Sequence, residues 1–400
     1  MIDRRQLSDN TPGMAAPAAQ DYAILDEGAV AALAGSHLGT VTGDVADIGD
    51  GNLNLVFRVQ ADAGSVVVKQ ALPYLRVAGE AWPLTRHRAR IEWRALQVHS
   101  QFCPGLFPEL LEFDDARSAI VMEDLRSFIS WRDLLVRGVS TPGVAAKVGA
   151  YAATVLLSTG ELVLSGSARE RLQMDFVYSE MCGVTEQLVF DTPYQNSPLN
   201  RIDPELADAA ASLVGDQRLD DAVAALKRRF RTESHSLLHG DLHTGSVMVN
   251  GDQTRIIDLE FAFFGPPGFD VGSLLANLAI ARTAHRIAGL SDFAAEIDRY
   301  ASEFWQTFAA TTRRLWPAPS SAVEPFLDNL LADGAQFAGL EMIRRIVGLA
   351  HAKDIDSLPP PVRLRAQTAV LAAGRDLVAG PRVRDLVDAW SRATAEESST

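Results

Sequence analysis

The residues of this chain best suited to chemistry lie in Leu238-His-Gly-Asp-Leu-His-Thr-Gly-Ser246 and, a little further on, in Ile256-Ile-Asp-Leu-Glu260. A carboxylate on a tight loop, Asp241, can accept a hydroxyl proton, while a second acidic group at the end of a following strand, Asp258, can hold Mg²⁺ against ATP phosphates. Asp258 follows Asp241 by 17 residues, the length of one short hairpin, which brings both carboxylates to the same edge. In-line transfer between a nucleophile and a metal-bound phosphate requires that juxtaposition. Taken alone, a His-Gly-Asp-x-His string is also a turn capped by an aspartate, so the rest of the chain has to decide.

Upstream, Ile48-Gly-Asp-Gly-Asn-Leu-Asn54 places a glycine-containing turn between two strand-like runs, suited to lay backbone or amide N–H groups over phosphates, though it is equally good as a plain hairpin turn. Lys69 ends a Val-Val-Val strand 17 residues after Asn52, where a cation can reach the α- and β-phosphates. Glu92, on the next helix, is the candidate partner for Lys69; its alternative is a solvated carboxylate beside Arg88 or Arg94. Val121-Met-Glu-Asp-Leu125 ends the last strand of the first half, where the chain crosses over and its backbone can meet an adenine edge. Turn, lysine, helix glutamate, crossing segment, His-Gly-Asp and Asp-x-Glu follow the order a bilobal kinase needs.

The elements that must carry these groups fall into two parts. Leu55–Val59 and Ser65–Lys69 read as a hairpin, Glu109–Phe113 and Ser118–Met122 as two further strands, and 84–99 as a helix with Ile91, Ala95, Leu96 and His99 on one side and its arginines largely elsewhere. Beyond Asp124, Ala/Leu-rich helical segments dominate, over about 142–163, 204–230, 291–315, 323–351 and 360–378, interrupted by a strand pair at Val247–Val249 and Arg255–Ile257 around Asn250-Gly251-Asp252. The expected class is α+β, with a small antiparallel β-sheet lobe and a larger, mainly helical lobe. The expected divisions are an N-terminal arm (1–20), a small lobe (21–125) and a large lobe (126–400), ending in a frayed tail at 396–400.

Composition narrows the partners. Lys and Arg number 37 against 51 Asp and Glu, a formal net charge of −14, which disfavours nucleic acid and anionic membrane. The 47% apolar and 22% charged fractions suit a folded chain. No apolar run approaches the roughly 18 residues of a membrane span. Cys103 and Cys182 are too few for a disulfide framework or a thiolate cage, so a reducing, cytoplasmic setting is expected. No His/Cys metal cluster and no G-x-S-x-G elbow is present in the sequence.

The chain resembles the kinase-like small-molecule phosphotransferases, the group of aminoglycoside and choline kinases, and within it the methylthioribose kinase family. The resemblance rests on Gly49-Asp-Gly-Asn-Leu-Asn54, Val68-Lys-Gln-Ala-Leu-Pro-Tyr74, Gly79-Glu-Ala-Trp-Pro-Leu-Thr85 with Arg88-Ala-Arg-Ile-Glu92, Val121–Leu125, His239–Ser246, Phe261-Ala-Phe-Phe-Gly265 with Gly268-Phe-Asp270, and Ile343-Arg-Arg-Ile-Val-Gly-Leu-Ala-His351. Together these extend over about 45–351. Gly79–Thr85 and the His-Thr-Gly-Ser ending are the specific parts, whereas His-Gly-Asp marks only the wider group.

The resemblance implies a bilobal protein-kinase-like fold. It implies that Asn52, Lys69 and the Glu123, Asp124 and Leu125 segment contact ATP. Asp241 would be the catalytic base on the sugar hydroxyl, with Asp258 and Glu260 holding Mg²⁺. Trp82 would lie in a mobile loop over the active site, and Arg344 and Arg345 would be twin arginines near the sugar and the transferring phosphate. Guanidinium groups suit that place, because they neutralise charge building on the phosphoryl oxygens. The implied reaction is phosphorylation of the 1-hydroxyl of 5-methylthioribose, by a homodimer. Another 5-substituted ribose such as 5-deoxyribose, an amino alcohol or aminoglycoside, and a non-catalytic nucleotide-binding module are the rivals. Two positions depart from expectation. Ser246 stands where many kinase-like folds have a metal-binding Asn, a serine the methylthioribose kinase motif shares, and Leu259 stands where Pro is expected.

Overall fold

The computed structural model describes residues 22–49, 53–76, 79–176, 180–317 and 320–380. The expected arm at 1–20 and tail at 396–400 lie outside the described residues. After helix α1 (Glu27–Leu38) come β1 (Val41–Asp47), β2 (Asn54–Ala61) and β3 (Gly64–Ala71); then the short pair β4 (Tyr74–Leu75) and β5 (Gly79–Pro83); then α2 (Arg88–Phe102), β6 (Leu110–Asp114) and β7 (Ala119–Glu123). The five longer strands form one antiparallel sheet in the order β1-β2-β3-β7-β6.

Period-two alternation explains what each face of this sheet does. Val59 on β2, Val66 and Val68 on β3, and Ala119 and Val121 on β7 bury against Val30 and Ala34 of α1. The residues between them, Val56, Arg58, Val67, Lys69 and Met122, face the opposite way and line a large cavity. The Val-Val-Val run before Lys69 is therefore split between the two faces, which aims the lysine inward.

From β7 the chain passes through residues 124–128 into β8 (Ile129–Ser130), α3 (Trp131–Val136), α4 (Val144–Thr159), α5 (Gly166–Asp175) and α6 (Glu180–Thr185), which continues as a π-turn over Glu186–Asp191. Then follow α7 (Ala207–Ala211), α8 (Gln217–Thr232), β9 (Ser236–Leu237), β10 (Val247–Asn250), β11 (Gln253–Ile256), β12 (Phe264–Gly265), α9 (Gly268–Ile287), α10 (Ser291–Leu315), α11 (Val323–Val347), α12 (Lys353–Asp356) and α13 (Pro360–Ala379). The long predicted helices at 291–315 and 360–378 match α10 and α13 within a residue, and the predicted strand pair forms the β10–β11 hairpin. The segment predicted as one helix over 204–230 is instead a 3₁₀ turn, α7 and α8, broken near Gly215. The predicted helix at 84–99 begins later, at Arg88.

The core of this second part is built around α9, which is buried on nearly every side and packs against α10, α11 and α13. Most of its residues are apolar or small, and buried polar members such as Asp270 and Asn277 are hydrogen-bonded. Its crossing with α11 is close enough that a Cβ on Gly272 would stand 2.4 Å from the Gly334 carbonyl oxygen. A side chain there would push the two helices apart, and α11 carries the arginines discussed below.

Candidate active site

A cavity of about 740 Å³ lies between the sheet and the helical part. Lys69, Glu92 and Met122 line it from one side, and Asp241, His243 and Asp258 from the other. Glu123, Asp124 and Leu125 line it where the chain crosses. Asn52 lies outside the described residues.

Lys69 is buried, and its Nζ donates at 2.7 Å both to Glu92 Oε1 and to Asp258 Oδ1. Glu92 is buried at 3% exposure, so the alternative of a solvated helix carboxylate is overturned. Burial alone would lower the Lys69 ammonium, but Asp258, Glu92 and Glu260 outweigh it and hold it charged far into the alkaline range. For Asp258 burial is the largest single influence and pulls upward, but the charge and hydrogen bond of Lys69, with His243 and His239 beside it, together outweigh burial, so its carboxyl lies below the ordinary value. Asp258 also has φ of 65°, a left-handed conformation sparse for a non-glycine residue, while 49% of its side chain stays exposed. A strained carboxylate presented to solvent and steadied by a lysine is the usual condition of a ligand-holding group.

Glu260 lies deeper, at 5% exposure, and both of its oxygens are engaged: Oε1 accepts from Asn54 Nδ2 and Oε2 from Arg88 Nε, each at 3.0 Å. As donors for a divalent cation the two expected ligands therefore differ. Asp258 offers an open oxygen; Glu260 offers only the remaining lone pairs of oxygens already bound. Ser246 is turned away, since its hydroxyl caps the backbone of the Thr244–Ser246 turn and donates to the His243 carbonyl at 2.8 Å. Leu259 between the two acids is fully buried.

The loop holding Asp241 is pinned from below. Asp270 accepts from the backbone N–H groups of His239 at 2.7 Å and Gly240 at 3.0 Å. Gly240 has φ of 86°, and a Cβ there would fall 2.1 Å from the Phe261 carbonyl, so only glycine fits. His239 is buried; its Nε2 donates to the Ile257 carbonyl at 3.0 Å and so ties the loop to the residue before Asp258. Its role is that of a structural hydrogen-bonder.

Around Asp241 two guanidinium groups and an imidazole stand more loosely. Arg344 Nη2 is 3.4 Å from Oδ1, Arg345 Nη2 is 3.9 Å from the same atom, and His243 Nε2 is 3.5 Å from Oδ2. His243 Nδ1 accepts from the Ser246 N–H at 2.9 Å, which puts the ring proton on Nε2, facing Asp241. Burial alone would raise the Asp241 carboxyl, but His243, Arg344 and Arg345 hold it well below the usual carboxylate range. Burial, opposed by Asp241 and aided by Arg132 and Arg345, pushes His243 down to about 3. The ring is thus neutral at ordinary pH, and the guanidinium groups supply the positive field.

Both arginines are braced by Glu341 on the same helix: Arg345 Nε donates to its Oε1 at 2.7 Å, and Arg344 is ion-paired to its Oε2. Burial would raise the Glu341 carboxyl, but the arginines lower it to about 2. Arg132 completes the ring of charge. Its Nη2 donates to Asn277 at 2.8 Å, while its buried Nε has no hydrogen-bond partner among the described residues and stands 3.8 Å from Asp354.

Two expected residues sit differently from the rest. Trp82 is in β5, packed with Leu75, Leu84 and Met181, and does not line the cavity just described. The Asp124 side chain accepts from Arg58, Ser65 and Arg126 and so pins the crossing segment. Arg88, Asp270, Glu341 and Arg132 received no role from the sequence. Asp270 and Arg88 fall within quoted motifs, but nothing local marks them as buried. The arginines of α2 are read from the sequence as lying off its apolar side; Arg88 is in fact fully buried.

The chain is 40% identical over 375 residues to a methylthioribose kinase of Yersinia pseudotuberculosis, covering 90% of this chain and 92% of that one. It belongs to the methylthioribose kinase family. A methylthioribose kinase of Geobacillus is 38% identical over 343 residues, 83% of this chain and 85% of that one. The phosphotransferase enzyme family matches over residues 181–305, which include the His-Gly-Asp loop and Asp258. Among solved structures, a choline/ethanolamine kinase family protein from Mesorhizobium loti aligns at a TM-score of 0.44 and 16% identity, covering 88% of this chain and 94% of that one. As a member of that family, this chain is a phosphotransferase. Among its described residues, no helix is long and apolar enough to cross a membrane.

Proposed function

We propose that this protein transfers the γ-phosphoryl group of ATP to the 1-hydroxyl of 5-methylthioribose, giving ADP and S-methyl-5-thio-α-D-ribose 1-phosphate, a step of methionine salvage. The observation that carries the reading is one cavity lined both by the Lys69–Asp258 pair and by Asp241, in a chain 40% identical to a methylthioribose kinase. In this reading residues 21–125 grip the nucleotide and 126–400 carry the acceptor site, in a cytoplasmic homodimer.

Adenine would enter between Val56 and Val67 above and Met248 and Ile257 below, beside the Glu123–Leu125 backbone. Lys69 meets the α- and β-phosphates. Asp258 would hold Mg²⁺, with Glu260 as a weaker second donor, and the ion would supply charge neutralisation on the phosphates. Asp241, kept ionised by Arg344 and Arg345, accepts the hydrogen bond of the O1 hydroxyl and so orients its lone pair toward the phosphorus. A carboxylate this weakly basic takes the proton late, as suits a transfer in which positioning dominates. The guanidinium groups stabilise the charge spreading over the equatorial oxygens. They also disfavour a cationic acceptor such as an aminoglycoside.

Steady-state kcat/KM for methylthioribose, 5-deoxyribose and ribose tests the assignment. Methylthioribose should lead and ribose should trail; ribose preferred over both would sink it.

A further inference from the structure

Gly245 lies in the short turn Thr244–Ser246 that follows Asp241, and its backbone is outside the left-handed region that calls for glycine. What a side chain would lack there is space. A Cβ on Gly245 would stand 2.9 Å from His243 Cε1 and 3.0 Å from Arg132 Nη1. The glycine therefore lets the Arg132 guanidinium lie against the loop that carries Asp241.

Arg132 is the second residue of α3, between two anchors. Trp131 before it is fully buried, with Nε1 donating to Thr141 Oγ1 at 2.8 Å, and the backbone N–H of Asp133 after it donates to Ser130 Oγ at 3.1 Å. The Arg132 side chain is 15% exposed and lines the cavity together with Asp241, His243 and Gly245. Its Nη2 donates to Asn277 Oδ1 at 2.8 Å, and Asn277 Nδ2 donates in turn to Glu341 Oε1 at 3.3 Å, the carboxylate that braces Arg344 and Arg345. One network thus sets three guanidinium groups beside Asp241. The other donors of Arg132 are idle among the described residues: Nη1 makes no hydrogen bond, and the buried Nε stands 3.8 Å from Asp354 Oδ2, beyond hydrogen-bond length.

Burial works most strongly against the Arg132 charge and Arg345 adds to it; Asp354, Asp241 and Glu341 offset them only in part, so the guanidinium lies below its ordinary value. A largely buried cation with idle N–H groups and no close carboxylate is completed by an anion with several acceptor oxygens. A neutral sugar hydroxyl would fill one donor and leave the charge as it was.

We propose that Arg132 binds the phosphoryl group after its transfer, as a third guanidinium that holds the 1-phosphate of the product. The inference rests on the functional reading above, which carries the γ-phosphoryl from the Lys69–Asp258 side to the hydroxyl at Asp241. The groups that act on Arg132, namely Arg345, Asp354, Asp241 and Glu341, all belong to the helical part, on the acceptor side of the cavity. A phosphomonoester brings three acceptor oxygens and close to two negative charges there. The sugar that enters brings neither, so the contact forms only once the phosphoryl group has crossed.

The test is calorimetric titration of the full-length protein, unmodified and as Arg132→Gln, with methylthioribose, with S-methyl-5-thioribose 1-phosphate and with AMP-PNP plus Mg²⁺. The glutamine removes the charge and keeps an amide donor for Asn277. It should weaken the 1-phosphate by about tenfold or more and change the other two ligands by less than about threefold. Arg132→Lys should lose an intermediate amount, because one ammonium on a flexible stem cannot serve Asn277 and the phosphate in the geometry of the planar fork. An equal loss for methylthioribose would make Arg132 a sugar contact or a purely structural group, an equal loss for AMP-PNP would make it a nucleotide contact, and an unchanged affinity for the 1-phosphate would remove it from the site; each of these overturns the proposal. Should Arg132→Gln fail to fold, an Arg132→Lys protein that binds the 1-phosphate as tightly as the unmodified one overturns it. A turnover assay keeps the two readings apart: an unmodified protein that does not phosphorylate methylthioribose refutes the function, whereas one that does so and keeps its product affinity in Arg132→Gln refutes only the role of Arg132.

Discussion

The two halves of the cavity are built to different tolerances. On the nucleotide side Lys69, Glu92, Asp258, Arg88, Asn54 and Glu260 interlock at 2.7–3.1 Å. On the acceptor side the groups nearest Asp241 stand at 3.4–3.9 Å, and Arg132 leaves a buried N–H without a partner among the described residues. The first half is satisfied by the protein itself. The second is more loosely paired, as expected where a ligand completes the geometry. Rigid charge placement on one side and adjustable hydrogen bonding on the other divide the work of phosphoryl transfer: the phosphates meet a fixed field, and the sugar is drawn into register by the groups it satisfies.

If the halves differ in this way, damage to them should differ too. The largest effect is expected on the acceptor side. Asp241→Asn removes the oriented acceptor while Glu341 still braces both arginines, so kcat should drop by about 10³-fold or more with ADP affinity and melting temperature nearly unchanged. Turnover near the unmodified level would exclude Asp241 from the reaction. On the nucleotide side a single change should harm two properties together. Lys69→Met takes the cation from a buried pair, so kcat/KM for ATP should fall by about 10²-fold or more. Thermal unfolding should also shift downward, because Glu92 is left buried without its partner. A Lys69 variant that loses activity while melting normally would erase the contrast between the halves.

What could be read from the sequence follows the same line. The strands were legible because alternation and turn residues are local: Val66 to Lys69 carries its own two-faced pattern, and Asn250-Gly251-Asp252 carries its own turn. The Lys69–Glu92 pair was legible because strand end and helix lie close in the chain. Arg88 was not, since its acceptors run from Leu53 to Glu260 and an arginine among three others on a helix looks like a solvated face. Glu341 and Arg132 were hidden for the same reason; what gives them meaning is the crossing of α11 and α9, which no local pattern encodes. The family motifs marked Asp241 and Asp258 but could not show that Glu260 is held from behind while Asp258 is open.

The smallest expected effect concerns His243, and it sharpens what the looser half contains. A histidine beside the catalytic carboxylate invites the reading that it is the base, with an ordinary pKa near 6.5. Burial and the neighbouring arginines instead bring it to about 3, so it is already neutral across the working range, and Asp241 is already ionised there. The sign follows directly: raising the pH from 6 to 8 deprotonates neither group, so neither contributes a limb to kcat/KM. His243→Asn keeps an acceptor for the Ser246 N–H where Nδ1 now lies. The variant should lose less than about tenfold in kcat, below the span attributed to general acid–base catalysis. Its pH profile should superimpose on that of the unmodified enzyme, because any limb due to ATP itself is common to both. An acid limb near pH 6.5 that disappears in His243→Asn would make the histidine the titrating base and reduce Asp241 to its orienting partner.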